Sequence, residues 1–204
     1  MQTRTPRRRV ARAERERQIL DAAVTVFSVR GYQNASMDAV AEVVGVTKPV
    51  LYSHFGSKEG LLLACVARVR TELLEVTSAA AAAADGPEDM LRRGTLAFFS
   101  YLDAQKPSWS LLYSEASVSQ AAAAALEEIR AQQTDFIAGL LAVQAPDAAP
   151  QRLAGWAHVI VGACERLALW RGSADCEGGT PRMSPDEATD YLMDLVWTGL
   201  AHRS

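Results

Sequence analysis

The chain has 204 residues, a formal net charge of −3 at pH 7 and apolar side chains at 49% of its positions, which allows one or two domains with a buried core and excludes intrinsic disorder. It lacks an apolar run of the roughly 18 residues that a membrane span needs, and its arginine-rich start lacks the apolar segment of a signal peptide. Its three cysteines match neither a metal-ligand spacing nor a disulfide framework, so we expect a cytoplasmic protein with no membrane partner and no cofactor.

Positive charge is concentrated near the start of the chain. Residues 1–60 hold ten Lys/Arg against six Asp/Glu, whereas residues 61–204 hold eleven against eighteen. Residues 1–16 form a basic arm that we expect to be disordered. Composition leaves two roles open for this arm, since it can either lie along DNA phosphates or act as a solubilising tail.

Helical spacing of apolar residues predicts an all-α fold, because alternating runs bounded by hairpin turns are missing. The first predicted helix covers residues 12–29, and Gly31 is expected to end it in the left-handed conformation. Each of the next three helices is expected to start at a capping side chain, at Ser36, Thr47 and Ser57 in turn. Gly45 is expected to end the second of the four.

The rest of the chain predicts five further helices, which makes about nine. They cover residues 88–104, 109–114, 117–143, 151–171 and 185–202. Ser184 and Glu187, on either side of Pro185, form a capping box that predicts the start of the last helix. We expect a domain boundary inside the fourth helix, between residues 64 and 65.

Two short helices joined at Gly45 follow the helix-turn-helix pattern, in which the second helix enters the major groove of DNA. Spacing alone also gives false matches, because a glycine between two short amphipathic helices is common. The second helix, however, exposes side chains that bind phosphates, sugars or base edges: Thr47, Lys48, Pro49, Tyr52, Ser53 and His54. Tyr52 has an alternative, which is to pack its ring on the first helix.

The segment ILDAAVTVFSVRGYQNASMDAVAEVVGVTKPVLYSHFGSKEGLL, residues 19–62, resembles the DNA-binding region of the TetR family of transcriptional regulators. The resemblance rests on these residues: Ile19, Ala22, Ala23, Phe27, Gly31, Tyr32, Ser36, Ala41, Gly45, Val46, Leu51, Tyr52, Phe55, Lys58, Glu59 and Leu61. It implies a helix-turn-helix DNA-binding domain at residues 17–64. It also implies a larger helical domain at residues 65–204 that binds a small molecule and dimerises. Pro49 departs from the family, which more often has Gly or Ala there.

The same resemblance implies roles for single residues. Ser36 and Thr47 are expected to bind phosphates at helix starts, where capping and phosphate binding are compatible. Tyr52 and His54 are expected to contact the DNA backbone or sugars, and Lys58 a phosphate. Lys48 is expected to contact a base or a phosphate. The full predicted DNA-binding set is Arg17, Ser36, Thr47, Lys48, Pro49, Tyr52, Ser53, His54 and Lys58.

A single helix pair reads few base pairs, so a homodimer on a pseudo-palindromic operator of double-stranded DNA is expected. Apolar residues on more than one face of the last two predicted helices suggest that these helices pair across subunits. The predicted interface consists of Trp156, Ile160, Ala163, Leu167, Leu192, Leu195, Val196 and Gly199. The alternative is that they form the core of a monomer.

Aromatic residues with a few polar tips lie in the middle of the chain. Residues alone favour a packed core, whereas the resemblance favours a cavity for a small-molecule effector that is apolar or aromatic. The predicted ligand-binding set is Phe98, Tyr101, Leu102, Gln105, Trp109, Tyr113, Phe136, Trp156 and Cys164.

Together these observations predict a dimeric, ligand-responsive transcriptional regulator. Repression is the default, with release from the operator when a bound ligand displaces the fourth helix. Two alternatives stay open: a TetR-like activator, and a helical interaction protein whose basic arm binds acidic partners. An enzyme is not expected, because the sequence lacks a Gly-rich phosphate loop, a nucleophile elbow and a Cys/His cluster with metal spacing.

Overall fold

The computed structural model describes residues 6–105, 120–173 and 183–201. These residues form eight α-helices and no strand, which confirms the all-α prediction. The helices are α1 (Pro6–Asn34), α2 (Met37–Val44), α3 (Lys48–Phe55), α4 (Lys58–Ala82), α5 (Pro87–Ala104), α6 (Gln120–Gln144), α7 (Pro150–Ser173) and α8 (Pro185–Ala201). The short helix predicted at residues 109–114 lies outside the described residues.

Helix α1 is longer than predicted at both ends. It begins at Pro6, so the arm that was expected to be disordered is helical from that residue onward. It also continues past Gly31 to Asn34, across a kink where Gly31 has φ 70° and ψ 154°. The positive φ agrees with the prediction, but the ψ is extended rather than left-handed helical. Only glycine adopts this combination readily, so a side chain at position 31 would be strained.

The described residues divide into two compact units. The first comprises residues up to Val69 together with the part of α6 that ends at Leu126, and the second comprises Arg70–Gln105 and the residues from Glu127 onward. The division therefore falls inside α4, five residues beyond the predicted boundary at residue 64. The start of α6 was expected in the second domain, but it belongs to the first unit.

The first unit is built around one apolar cluster. Helix α1 packs against α2, and α2 packs against α3. The largest fully buried members of the cluster come from all four of the first helices: Ile19, Phe27, Val40, Leu51, Leu61 and Leu62. Each such side chain stabilises the fold by roughly 1.5–3 kcal/mol relative to exposure. Leu51 is the buried residue of α3, so the cluster holds one side of that short helix and leaves the other outside.

The second unit has its own core. Helix α5 packs against α7 and α8, and α7 packs against α8. The apolar residues of these three helices that are almost fully buried include Phe98, Phe99, Leu102, Ala157, Ile160, Ala188 and Leu192. A buried arginine joins α7 to α5 and to the segment just before α8. Arg171 of α7 donates from Nη2 to Asp103 Oδ2 at 3.0 Å and from Nε to the Met183 carbonyl at 3.0 Å.

The capping box predicted for the last helix is confirmed at the start of α8. The Glu187 backbone N–H donates to Ser184 Oγ at 3.1 Å, and the Ser184 backbone N–H donates to Glu187 Oε2 at 2.7 Å. These bonds satisfy two of the backbone donors that a helix start leaves unpaired. The bond from the Ser184 backbone favours the ionised carboxylate and lowers the pKa of Glu187.

Candidate nucleic-acid interface and ligand cavity

The turn between α2 and α3 is set by local chemistry at both ends of α2. Ser36 caps the helix as predicted, since its Oγ accepts from the Ala39 backbone N–H at 3.1 Å. At the other end Gly45 is left-handed, with φ 74° and ψ 36°. Its N–H donates to the Ala41 carbonyl at 2.9 Å, and the Val46 N–H donates to that same carbonyl at 3.0 Å. This C-terminal motif ends α2 and directs the chain into α3.

Thr47 occupies the cap position of α3, but its side chain makes no capping hydrogen bond. The capping bond predicted for it is therefore wrong, and the backbone explains why. Pro49 has no N–H, and the N–H of Val50 donates to the Thr47 carbonyl at 3.0 Å instead. The exposed Thr47 hydroxyl is therefore available to bind a partner near the positive end of the helix.

The side of α3 that faces away from the core carries most of the predicted DNA-binding side chains. Lys48, Pro49, Tyr52 and Ser53 are exposed, and His54 is partly exposed. Tyr52 keeps 44% of its surface exposed, so part of this residue is open to a partner. The Ser53 hydroxyl donates to the Val50 carbonyl at 2.8 Å, which leaves its oxygen as an acceptor.

Lys48 is held by an acidic residue of the preceding helix. Its Nζ lies 2.8 Å from Oδ2 of Asp38, which is in the first turn of α2. The hydrogen bond with Asp38 and the charge of its carboxylate raise the pKa of Lys48. The side chains stay 46% and 67% exposed, so both groups are accessible to a partner. Sequence reasoning identified Lys48 but missed Asp38. An acid in the first turn of a helix is common because it interacts favourably with the helix dipole, so its presence there did not indicate a partner.

Lys58 is engaged within the first unit. Its Nζ donates to the Ala35 carbonyl at 2.8 Å and to the Gln33 carbonyl at 3.3 Å. It also lies 4.3 Å from the centre of the Tyr32 ring, within the range of a cation–π interaction. The side chain predicted to bind a phosphate therefore ties the start of α4 to the end of α1. The neighbouring Ser57 caps α4 as predicted, accepting from the Gly60 N–H at 2.9 Å.

Arg17, the remaining predicted DNA contact, lies on the exposed side of α1. Its guanidinium pairs with Glu14 at 2.8 Å and with Asp21 at 3.4 Å. Asp21 also accepts from Arg68 of α4 at 2.7 Å. The positive charge of Arg17 is thus shared with two neighbouring carboxylates.

A cavity of about 60 Å³ lies within the second unit. A buried water needs roughly 10–15 Å³ on the same scale, so the cavity has room for several waters or a small apolar group. Four helices line it: α4 with Leu74, Thr77 and Ala81; α5 with Met90, Leu91, Gly94, Thr95 and Phe98; α6 with Gln133, Phe136, Ile137 and Leu140; and α7 with Ile160, Val161, Cys164 and Glu165. The lining is mostly apolar, and the carboxylate of Glu165 accepts from Arg130 at 3.0 Å.

The predicted ligand-binding set matches this lining in part. Phe98, Phe136 and Cys164 line the cavity. The other described members, Tyr101, Leu102, Gln105 and Trp156, do not line it, while Trp109 and Tyr113 lie outside the described residues. Tyr101 instead donates its hydroxyl to Glu72 at 2.9 Å, and Leu102 is buried in the core. The prediction favoured aromatic side chains, whereas most of the positions missed are non-aromatic ones at helical spacing, such as the aliphatic Leu91 and the polar Thr95 on the same helix as Phe98.

The thiol of Cys164 is part of this apolar wall rather than a reactive group. Burial raises the pKa of Cys164 to about 12, so the thiol stays protonated at neutral pH. Burial raises the pKa of Cys65, in the core of the first unit, to about 12 as well.

The predicted dimer interface requires a correction at two of its eight residues, because these two side chains pack inside the second unit. Ile160 is 1% exposed and Leu192 3%, so neither side chain can meet a partner. Trp156, Ala163, Leu167 and Val196 are partly exposed, and the surroundings of Gly199 lie outside the described side chains. Leu195 is 75% exposed, as an interface requires.

A second stripe of α7, shifted by one position, is exposed instead. It contains Gly155, Val159, Gly162, Arg166 and Trp170, which recur at helical spacing. Val159 is 64% exposed and Trp170 56%, and Tyr191 of α8 is 59% exposed near Leu195 in the sequence. These exposed apolar side chains on α7 and α8 are available to a partner.

The described residues contain neither a metal-binding cluster nor a membrane-spanning helix. That part of the chain has no cluster of three or more His, Cys, Asp or Glu side chains that could hold a metal ion. None of its helices combines the length and the hydropathy needed to cross a bilayer.

Comparisons with known proteins cover both units. Residues 19–65 match the family model described as "Bacterial regulatory proteins, tetR family", and residues 87–199 match "Tetracyclin repressor-like, C-terminal domain". A curated relative, the HTH-type transcriptional activator FasR of Mycolicibacterium smegmatis, is 28% identical over 195 residues, which are 95% of this chain and 86% of the relative.

Solved structures agree with these matches. A TetR-like transcriptional regulator from Rhodococcus sp. RHA1 is 34% identical, with a TM-score of 0.72 over 92% of this chain and 96% of that one. The fatty acid degradation regulator FadR from Bacillus halodurans has a TM-score of 0.77 at 17% identity, over 98% of each chain, and shares the fold.

Proposed function

Because the chain belongs to the TetR family of bacterial transcriptional regulators, we propose that it acts in the cytoplasm as a homodimeric repressor. It binds a pseudo-palindromic operator of double-stranded DNA and leaves that operator when a small apolar or aromatic ligand binds the second unit. Repression is the default because occupying an operator requires only DNA contacts, whereas activation also requires a surface for the polymerase.

The observation that carries the proposal is the exposed side of α3. The start of α3 presents the Thr47 hydroxyl, which makes no capping bond, and the ammonium of Lys48. The exposed Tyr52 follows one turn later. These groups can donate to phosphates, contact base edges and stack on sugars, and the positive end of α3 adds to their attraction for DNA. Ser36 offers a second helix start for a phosphate in the same unit.

Dimerisation follows from the function and has a surface to support it. One short helix reads few base pairs, so selective binding needs two copies on half-sites about one or more helical turns apart. The exposed apolar side chains Val159, Trp170, Tyr191 and Leu195 of α7 and α8 supply the interface. Gly155 and Gly162 are two turns apart on the same side of α7 and let a partner helix approach closely.

The cavity supplies the ligand site. Its apolar lining selects an apolar ligand, and Gln133 offers an amide that can orient one polar group. Because the cavity holds only a few waters, a larger ligand has to push its walls apart. Leu74, Thr77 and Ala81 on one of those walls belong to α4, the helix that starts directly after α3.

Displacement of α4 by the ligand would therefore change the separation of the two α3 helices in the dimer. A fixed half-site spacing in the DNA then no longer matches the protein. A coupling free energy of roughly 1–3 kcal/mol would weaken operator binding about 5- to 150-fold, provided that the ligand prefers the released state by the same amount.

Selection of bound duplexes from random DNA tests the core of the proposal. We expect enrichment of one pseudo-palindromic motif, whose centre-to-centre half-site spacing reports the distance between the two α3 helices. Binding to this motif should weaken steeply with salt while keeping its sequence preference. A protein whose basic arm only binds acidic partners would enrich no motif.

Two alanine variants connect the motif to α3. Lys48→Ala and Tyr52→Ala should each reduce enrichment while the protein keeps its mass in solution and its helical content. Val143→Ala is a matched control, because Val143 is 77% exposed on α6, away from the helix pair in the sequence. Unchanged enrichment in both α3 variants would exclude this helix from recognition.

A second candidate function is activation, and one observation favours it. The curated relative that matches 95% of this chain, FasR, is named a transcriptional activator. A reporter gene placed downstream of the selected motif distinguishes the two. Repression predicts that reporter output rises when the regulator gene is deleted, and activation predicts that it falls.

A further inference from the structure

The ion pair between Lys48 and Asp38 joins the two helices of the DNA-binding motif. Lys48 is the first residue of α3, the end that a helix-turn-helix protein presents to base edges. Its ammonium lies 2.8 Å from Asp38 Oδ2, and both side chains are largely in contact with solvent. Glu42 provides a comparison, since it is a second exposed acid one turn further along α2.

The chemistry of the pair limits what Lys48 can bind next. An ammonium has three donors, so one bond to Asp38 leaves two for acceptors such as O6 and N7 of guanine. A base edge carries no net charge and can approach while the carboxylate stays in place. A phosphate, in contrast, brings a negative charge close to Asp38, or draws Lys48 away from it.

Separating the ion pair therefore weakens the binding of DNA that offers Lys48 only phosphates. Non-operator DNA attracts the protein almost entirely through phosphates. An operator that offers an acceptor to α3 can instead keep the lysine where Asp38 holds it, with little further ordering of its long side chain. The two kinds of DNA thus differ in whether the ion pair has to break.

We propose that Asp38 is a positioning residue for operator selectivity: it holds the Lys48 ammonium for a base edge and withholds it from the phosphates of non-operator DNA. This inference rests on the DNA-binding function proposed above. It assigns to an acidic residue, which would ordinarily be regarded as unfavourable for DNA affinity, a role in choosing between sequences.

Asp38→Asn tests the proposal, with Glu42→Gln as the matched control. Dissociation constants are measured for the selected operator and for a scrambled duplex of equal length over a range of salt concentrations. In Asp38→Asn we expect tighter binding to the scrambled duplex and a ratio of the two constants that falls roughly two- to five-fold, the range open to an exposed ion pair. The logarithmic salt slope on the scrambled duplex should steepen by about one, for one added phosphate contact.

Glu42→Gln removes the same charge from the same helix without releasing Lys48. It should strengthen binding to both duplexes by similar factors, so that their ratio and the salt slopes stay as in the wild type. Asp38→Glu keeps the carboxylate and should restore most of the lost selectivity. Thermal unfolding of Asp38→Asn is expected to shift only slightly, as for the loss of one exposed charge at a helix start, because a purely structural role for Asp38 would appear there as a large shift.

A further variant checks that Asp38 acts through Lys48. In a Lys48→Met background, Asp38→Asn should change the ratio of the two dissociation constants no more than Glu42→Gln does.

The proposal is overturned if Asp38→Asn and Glu42→Gln change this ratio equally, or if the effect of Asp38→Asn persists without Lys48. A wild-type protein that prefers no duplex would overturn both this inference and the proposed function, whereas a selective wild type with an unchanged ratio in Asp38→Asn would overturn the inference alone.

Discussion

Lys58 joins parts of the first unit that are distant in sequence. Its ammonium reaches back 23 residues to the Ala35 carbonyl and 25 to the Gln33 carbonyl, both just after the kink at Gly31. The sequence predicts that Ser36 and Ser57 cap helices, because capping depends on residues two or three positions away. It does not predict the partners of Lys58, since these depend on how α1 and α4 pack.

Replacing Lys58 by methionine should destabilise the protein. Met retains most of the apolar stem but leaves the two carbonyls and the Tyr32 ring without the ammonium, so we expect a loss of about 1 kcal/mol in the free energy of unfolding. Urea denaturation followed by circular dichroism measures it, with Lys58→Arg as a control that keeps the charge. If stability is unchanged and the salt slope of operator binding instead falls by about one, the phosphate contact implied by the family resemblance is the main role of Lys58.

Arg171 likewise joins distant parts of the second unit, and its side chain is almost completely buried. It is 2% exposed, pairs with Asp103, and lies 5.3 Å from the centre of the Phe99 ring. Arg171→Ala removes a buried guanidinium together with its bonds to Asp103 and to the Met183 carbonyl, so it should lower the free energy of unfolding by about 3 kcal/mol. Arg152→Ala, at an exposed position of the same helix, should change it by less than about 0.5 kcal/mol. Equal effects of the two variants in thermal denaturation would contradict a structural role for the buried pair.

At the scale of elements, helix starts differ in how well the sequence reveals them. Ser184 and Glu187 form their reciprocal bonds as predicted, because both partners lie within one turn. Thr47 has the right residue type at the right position, yet it makes no capping bond, since Pro49 supplies no N–H and Val50 uses its own elsewhere. A cap prediction therefore needs the donors of the first turn as well as the acceptor.

The start of α8 should respond to acid in a defined direction. The pKa of Glu187 is lowered from its ordinary value of 4.5, so its stabilising contribution is fully present above that pH and is lost as pH falls through the lower folded-state value. Glu187→Gln should lower the melting temperature relative to wild type at pH 7, and the difference should shrink below pH 4.5 as the wild-type carboxyl is protonated. A difference that stays constant down to pH 3 would show that the charge of Glu187 is not involved.

Helix α7 shows the limit of periodicity as a guide to burial. Two apolar stripes run side by side along this helix, one through Ile160 and the other through Val159. The sequence alone does not decide which of them packs into the core. The structure buries Ile160 and exposes Val159. The predicted interface included Ile160 and left out Val159, because spacing along one helix does not reveal where α5 packs against it.

At the scale of the whole molecule, the exposed apolar side chains of α7 and α8 predict that two chains associate. Leu195→Glu places a charge where 75% of an apolar side chain is exposed, and it should weaken dimerisation roughly ten-fold or more together with operator binding. Analytical ultracentrifugation measures the mass. Val29→Glu is the matched control, because Val29 is 79% exposed on α1 and should leave the dimer intact. A dimer that persists in Leu195→Glu would exclude this part of α8 from the interface.

The all-α fold, the helix-turn-helix pair and most helix ends could be predicted from the sequence, since they follow from apolar spacing and from glycine, proline and capping residues. The cavity could be predicted only in part. Phe98 and Phe136 were found by their aromatic rings, but Leu74 and Met90 line the cavity through the arrangement of α4 and α5, which spacing along one helix does not reveal.

The exposed indole of Trp170 makes assembly visible without a label. With 56% of its surface open to water, it should emit fluorescence at long wavelength in the separated chains, and a partner that covers it should shift that emission towards the blue. A dilution series read by intrinsic fluorescence would then report the subunit equilibrium directly, and Trp170→Phe would identify the part of the signal that comes from this residue.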